Sequence, residues 1–126
     1  MDMRTPLAKV RGLGSAKDGT EHFWRQRLTA VSNIFLLTFF VIFLVAYAGA
    51  PYAEMVAVLH NPLVAIVCAF VVISATFHMR IGMQVIIEDY VHAEIGKIAL
   101  LFLNTFFAVA VAGASLFALL KIAFVG

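Results

Sequence analysis

Apolar and polar positions divide the chain into one polar stretch followed by three long apolar runs. The first run covers residues 28–49, is interrupted by Thr29, Ser32, Asn33 and Thr38, and is stopped by Pro51. The second covers residues 62–87 and has His78 and Arg80 as its strongly polar members, while the third covers residues 98–125 and contains Asn104 and Lys121. At 1.5 Å per helical residue, a run of about 22 residues reaches roughly 33 Å, which is enough to cross the hydrocarbon core of a bilayer. Pro62 suits the first position of a helix, where no backbone N–H is needed. The pattern predicts an all-α integral membrane protein. Three transmembrane helices, about 28–49, 62–87 and 98–125, form a membrane domain over residues 28–126, and residues 1–27 form a polar tail.

Composition agrees: 63% of the 126 residues are hydrophobic and 13% charged, against roughly 25% charged in soluble domains. The net charge of +2 matters less than its placement. Arg4, Lys9, Arg11, Lys17, Arg25 and Arg27 all lie in the tail, the segment 50–61 has no Lys or Arg, and the segment 88–97 has Lys97 alone. The positive-inside rule therefore puts the N-terminus in the cytoplasm and, after three crossings, the C-terminus in the periplasm. Trp24 falls where an interfacial aromatic belongs, and Lys121 can snorkel to the far interface. Glu88, Asp89, Tyr90 and His92 then sit at the cytoplasmic end of the second helix. Such a distribution favours contact with membrane lipid and argues against nucleic-acid binding.

Tail residues 1–27 are polar throughout and include Asp2, Asp18 and Glu21, which does not fit a cleaved signal peptide. Arg4, Arg11 and Ser15 would suit a mitochondrial presequence, but the acidic residues count against it, so the bacterial inner membrane is the expected location. Cys68 has no partner cysteine, which excludes an internal disulfide, and suits a small packing role in its apolar run.

The second helix carries the chemistry. An ionisable group inside a spanning segment costs about 2.5 to 3.5 kcal/mol for Arg on insertion scales, so its presence suggests a function. His78 lies about ten residues, or some 15 Å, from the cytoplasmic end, and each of its ring nitrogens needs a partner: a hydrogen bond or a metal. At 100° per residue Ser74, His78, Gly82, Val85 and Asp89 share one face within about 40°, which provides either a recess for a flat macrocycle or a surface for close helix packing. Arg80 points almost to the opposite face. The polar end Glu88-Asp89-Tyr90-Val91-His92 reads by itself as a helix cap with an interfacial tyrosine.

The segment running from His78 through Gly82, the Gln84-Val85 pair and Asp89-Tyr90 to the closing Val91-His92 resembles the second helix of the small hydrophobic membrane anchor subunit of succinate dehydrogenase, respiratory complex II. The tail stretch 12–33, with its Gly-Ser start, His22, an aromatic pair and Arg27, is also similar to that family. By position, the resemblance implies that His78 is an axial ligand of heme b and that Tyr90 donates a hydrogen bond to a ubiquinone carbonyl. Asp89 would belong to the same quinone region and relay protons. Arg27 is the candidate neighbour of the heme propionates, with Arg25 two residues away, and Arg80, where some members have an aromatic residue, is a second candidate.

Several parts of such a complex are absent from the sequence. A bis-histidine heme needs two imidazoles at similar depth, and His22, His60 and His92 lie outside the apolar runs, so a cytochrome b membrane subunit is expected to supply the second histidine. No C-x-x-C-H occurs, so the heme would not be covalently attached. The resemblance further implies a flavoprotein and an iron-sulfur subunit as partners, which makes this chain a non-catalytic subunit that contributes to a quinone site. An anchor of fumarate reductase is the alternative within the same architecture. A small multidrug-type transporter would need an intramembrane carboxylate, and all seven acids lie outside the apolar runs.

Overall fold

The computed structural model describes residues 5–12 and 16–125. Arg4, Ser15 and the Gly-Ser start of the tail motif lie outside them, as do the side chains of Lys17 and Asp18. The order is α1 (Pro6–Val10), α2 (Ala16–Ala46), α3 (Tyr52–Leu59), α4 (Pro62–Tyr90) and α5 (Glu94–Phe124), with no strand among the described residues. Three helices, Gly19–Ala46, Pro62–Tyr90 and Glu94–Phe124, are long and apolar enough to cross a membrane.

Local signals set the ends of these elements. Thr5 caps α1 by accepting a hydrogen bond from Ala8 N at 3.2 Å, and Pro6 follows it. Asn61 caps α4 by accepting from Leu63 N at 3.0 Å, with Pro62 at the first position as the sequence predicts. Between α2 and α3 the chain turns through Gly49 at φ +79°, a left-handed conformation that a side chain would strain, and Pro51 prevents α2 from continuing.

The helices outrun the apolar runs that predict them. α2 begins at Ala16 rather than Leu28 because apolarity marks where a helix enters lipid, not where helical hydrogen bonding starts; Glu21, Arg25, Gln26 and Arg27 are good helix formers, and Glu21 pairs with Arg25 one turn on. For the same reason α4 runs to Tyr90 and α5 starts at Glu94, so the linker between them is Val91-His92-Ala93. Lys97 Nζ bridges it to the Glu88 carbonyl at 3.2 Å. The segment 50–61 is not a plain loop either. Its helix α3 is too short to span, and it folds Leu59 into the core.

α4 is the middle helix, packed against α5 on one side and α2 on the other, and the backbones of α2 and α5 make no close approach among the described residues. At one end of the bundle Phe43, Leu59 and Cys68 are buried together, with Phe39, Tyr47, Met55, Leu119 and Ile122 packed around them. Phe39 stacks on Phe43 at a centroid distance of 6.2 Å, and Phe43 meets Tyr47 at 5.1 Å. Elsewhere Val71, Ile81, Ile87 and Ala108 are also buried, and polar contacts join the helices there. Buried Asn104 on α5 donates to the Arg80 carbonyl on α4 at 2.9 Å, and Arg80 Nε donates to Thr105 Oγ1 at 3.3 Å.

Two predictions follow from this packing. Replacing Asn104 with Leu removes an interhelical hydrogen bond and should lower the stability of the detergent-solubilised protein by about 0.6 kcal/mol, with roughly 1.7 kcal/mol as the upper range for such bonds. A thermal unfolding series checks it; an unchanged midpoint would show that the bond contributes nothing. At Gly82 an added Cβ would sit 3.6 Å from Gln26 Nε2, an ordinary contact. Gly82→Ala should therefore leave the α2–α4 pair intact and Gly82→Leu should separate it, readable as accelerated proteolysis within α2.

Candidate functional site

Where α2 meets α4, a stripe of polar residues runs along each helix. On α2 the residues Gln26, Thr29, Ser32 and Asn33 recur at steps of three and four, so they share one face. On α4 Ser74 and His78 are one turn apart. Ser74 Oγ donates to Asn33 Oδ1 at 2.7 Å, and Ser32 Oγ lies 2.7 Å from Ser74 Oγ. One turn on, Thr29 Oγ1 lies 3.0 Å from His78 Nδ1. Asn33 is buried, and its carbonyl oxygen is satisfied by the Ser74 bond.

His78 is half-buried and no residue among those described bonds its Nε2. The small residues on its face do not form a recess beside it. They bring α4 against α2, Ser74 onto Ser32 and Asn33 and Gly82 onto Gln26, so the close-packing alternative describes this face. An apolar groove of about 570 Å³ lies along one edge of the same seam, lined by Leu28, Phe35, Phe70 and Phe77 with Thr29, Ser32 and Ser74, and His78 is not part of that lining.

Arg80 is rotated about 200° from His78, and its Nε donates to Thr105 on α5. With Glu21, His22, Arg25 and Gln84 it lines a smaller polar recess of about 220 Å³. Arg25 is ion-paired with Glu21. Arg27 is not in this recess: its guanidinium lies over the Phe23 ring, 4.4 Å from the centroid, a cation–π contact on the exposed side of α2. Sequence position thus separates Arg25 and Arg27 by two residues, and helical rotation puts them on different faces. His22 Nε2 and Gln26 Oε1 are buried and have no hydrogen-bond partner among the described residues.

Asp89 and Tyr90 form the last turn of α4, and both are exposed, Tyr90 to 78%. Asp89 falls within about 20° of His78 on the helix face and Tyr90 about 120° from it, roughly 18 Å further along the axis. His78 and this pair are therefore two separate stations on one helix. Nearby, Gln84 Nε2 donates to Glu88 Oε1 at 2.8 Å, which fixes Glu88 on the flank of the same end.

A heme can be tested against these donors. The chemistry fits one axial position: a half-buried imidazole bonded at Nδ1 and unbonded at Nε2. It does not fit two. His60 Nδ1 is engaged by the Val56 carbonyl at 2.8 Å, His92 is exposed in the α4–α5 linker, and His22 is about 10 Å along α2 from Thr29. Among the described residues no group of three or more His, Cys, Asp or Glu could hold a metal ion.

Sequence reasoning passed over Thr29, Ser32 and Asn33 as interruptions in an apolar run. Their spacing, continued back to Gln26, was the available signal: polar residues confined to one face of a spanning helix mark the side that meets another helix.

Comparison with known proteins agrees with this architecture. The hydrophobic membrane anchor subunit of succinate dehydrogenase from Paracoccus denitrificans is 32% identical over 117 residues, which cover 93% of this chain and 90% of the relative. The protein of the same name from Rickettsia bellii is 32% identical over 90 residues, covering 71% of this chain and 72% of the relative. A succinate dehydrogenase membrane anchor subunit from Reclinomonas americana is 32% identical over 90 residues, 69% of this chain and 75% of the relative. No solved structure matches the chain. Three apolar helices and bacterial relatives make this a multi-pass protein of the bacterial inner membrane. Residues 1–117 match the family described as succinate dehydrogenase/fumarate reductase transmembrane subunit, and the chain belongs to it.

Proposed function

We propose that the chain is the hydrophobic membrane anchor of a succinate dehydrogenase, contributing one ligand to a heme b and two side chains to a ubiquinone site. The observation that carries the proposal is the arrangement along α4, on a chain of this family: an imidazole held at Nδ1 and free at Nε2 within the span, and an exposed Asp-Tyr pair at the helix end. The relatives named above carry the succinate enzyme's name, so the fumarate reductase alternative is not favoured.

Within this function α2, α4 and α5 anchor the assembly in the bilayer, with the basic N-terminal side in the cytoplasm and the C-terminus in the periplasm. The flavoprotein and iron-sulfur subunits dock on the cytoplasmic face. Tyr90 donates its hydroxyl proton as a hydrogen bond to a ubiquinone carbonyl, which polarises that oxygen, and Asp89 passes protons from the aqueous side. Both residues are exposed at the end of α4, where a lipid-soluble quinone and water can each reach them. His78 would hold the heme iron through Nε2, and a cytochrome b subunit would supply the second imidazole. The heme, when bound, supplies a one-electron reservoir beside the route to quinone.

Arg27 and Arg80 remain the propionate candidates. They lie on different sides of the bundle, Arg27 outward on α2 over Phe23 and Arg80 between α4 and α5, so a single edge of the macrocycle would use one of them. Arg25, beside Arg80 in the polar recess, joins Arg80 as an anion-facing group.

In the purified complex, His78→Ala should abolish or strongly deplete the b-type heme absorbance, and unchanged heme in that variant would remove His78 from the ligand set. Tyr90→Phe should lower succinate–ubiquinone reductase activity by on the order of tenfold or more, the size of one lost hydrogen bond to a polarised carbonyl. Succinate oxidation with an artificial dye should be retained. Equal loss of both activities would point to failed assembly and against a quinone role for Tyr90.

A further inference from the structure

We infer that Thr29 on α2 is a positioning residue for the heme site: its hydroxyl fixes His78 in the Nδ1–H tautomer, so that Nε2 is the nitrogen left to bind iron. The inference takes from the proposed function that His78 is a heme ligand, and adds which nitrogen binds, why, and which residue decides it.

Thr29 Oγ1 is 2.8 Å from the Arg25 carbonyl oxygen, 3.1 Å from the Gln26 carbonyl oxygen and 3.0 Å from His78 Nδ1. A hydroxyl has one proton to donate and lone pairs to accept with. Both carbonyls are acceptors only, and two oxygens 2.8 Å apart repel unless a proton lies between them. The Thr29 proton is therefore directed back to the α2 backbone, and its lone pair faces the imidazole. Nδ1 must then be the donor. A neutral imidazole protonated at Nδ1 is unprotonated at Nε2, which is the form a metal requires.

Thr29 is also well suited to holding a ring in place. Its branched Cβ restricts χ1, and the back-bond to the helix pins the hydroxyl on the rigid part of α2. Its partner sits on α4, so the bond links ligand orientation to the α2–α4 packing secured one turn away by Ser32, Ser74 and Asn33. Donation from Nδ1–H makes the ring a stronger base at Nε2, and such outer partners typically affect metal affinity by about 10- to 100-fold.

The test uses the assembled complex carrying Thr29→Val, Thr29→Ser and, in parallel, His78→Ala. Valine keeps the shape and removes the acceptor, whereas serine keeps the acceptor. In Thr29→Val the heme should bind on the order of tenfold more weakly. Its midpoint potential should move to a more positive value, because a less basic ligand favours ferric iron less, and the low-spin ferric EPR signal should shift. Thr29→Ser should restore all three. Wild-type potential and EPR in Thr29→Val would overturn the inference, as would equal damage in the valine and serine variants, which would assign Thr29 to helix packing alone. Unchanged heme in His78→Ala would instead overturn the ligand reading beneath it, so the two failures are distinguishable.

Discussion

Between apolar helices in a bilayer, burial does not choose one neighbour over another, because lipid tails are as apolar as leucine; close packing of small residues and hydrogen bonds between helices decide which faces meet. In this bundle they converge on α4. Thr29, Ser32 and Asn33 hold it from α2 through His78 and Ser74, and Asn104 and Thr105 hold it from α5 through the backbone and side chain of Arg80. Each bond is worth a fraction of a kcal/mol to about 2 kcal/mol, yet together they fix both the rotation and the axial register of the middle helix. His78 and Arg80, two residues apart, consequently serve opposite interfaces, and the arrangement cannot be rotated without breaking both.

The other end of the bundle is assembled differently. Phe43, Leu59 and Cys68 close a small apolar cluster under α3, with aromatic contacts along one side of α2. No polar bond is needed there because the helices are tied by the α2–α3–α4 connection itself, whose short turn through Gly49 and the Asn61 cap bring the segments together. Sequence-local closure thus secures one end, and the rest combines side-chain hydrogen bonds with the burial of Val71, Ile81, Ile87 and Ala108.

Much of this was legible in the sequence, and the remainder was not for definable reasons. Three spans, the Pro62 start and the opposed directions of His78 and Arg80 follow from run length and 100° rotation, since both depend on helix geometry alone. The true starts of α2 and α5 did not follow, because hydropathy records lipid exposure and not where helical hydrogen bonding begins. α3 was hidden by its length. The role of Thr29 depends on which helix lies opposite, and the difference between Arg25 and Arg27 depends on which face of α2 that helix occupies; neither is a property of one segment. The small residues around His78 were ambiguous between a recess and a packing face, and only the position of α2 resolves them.

What the contacts leave over is as informative as what they join. Asn33, Ser74, Thr29 and Asn104 are each engaged within the chain. His78 Nε2, the Asp89 carboxylate and the Tyr90 hydroxyl make no hydrogen bond among the described residues, although the first lies within a span where an unsatisfied polar atom is costly. A helix that carries such an atom through lipid is stabilised when something outside the chain meets it. With Nδ1 donating to Thr29, as inferred above, Nε2 offers a lone pair, which a metal ion or a hydrogen-bond donor from outside the chain can meet, and the proposed heme iron is such a partner. The same logic explains why the site is built on α4: the helix that is held from both sides is the one able to present an unpaired nitrogen in a fixed direction.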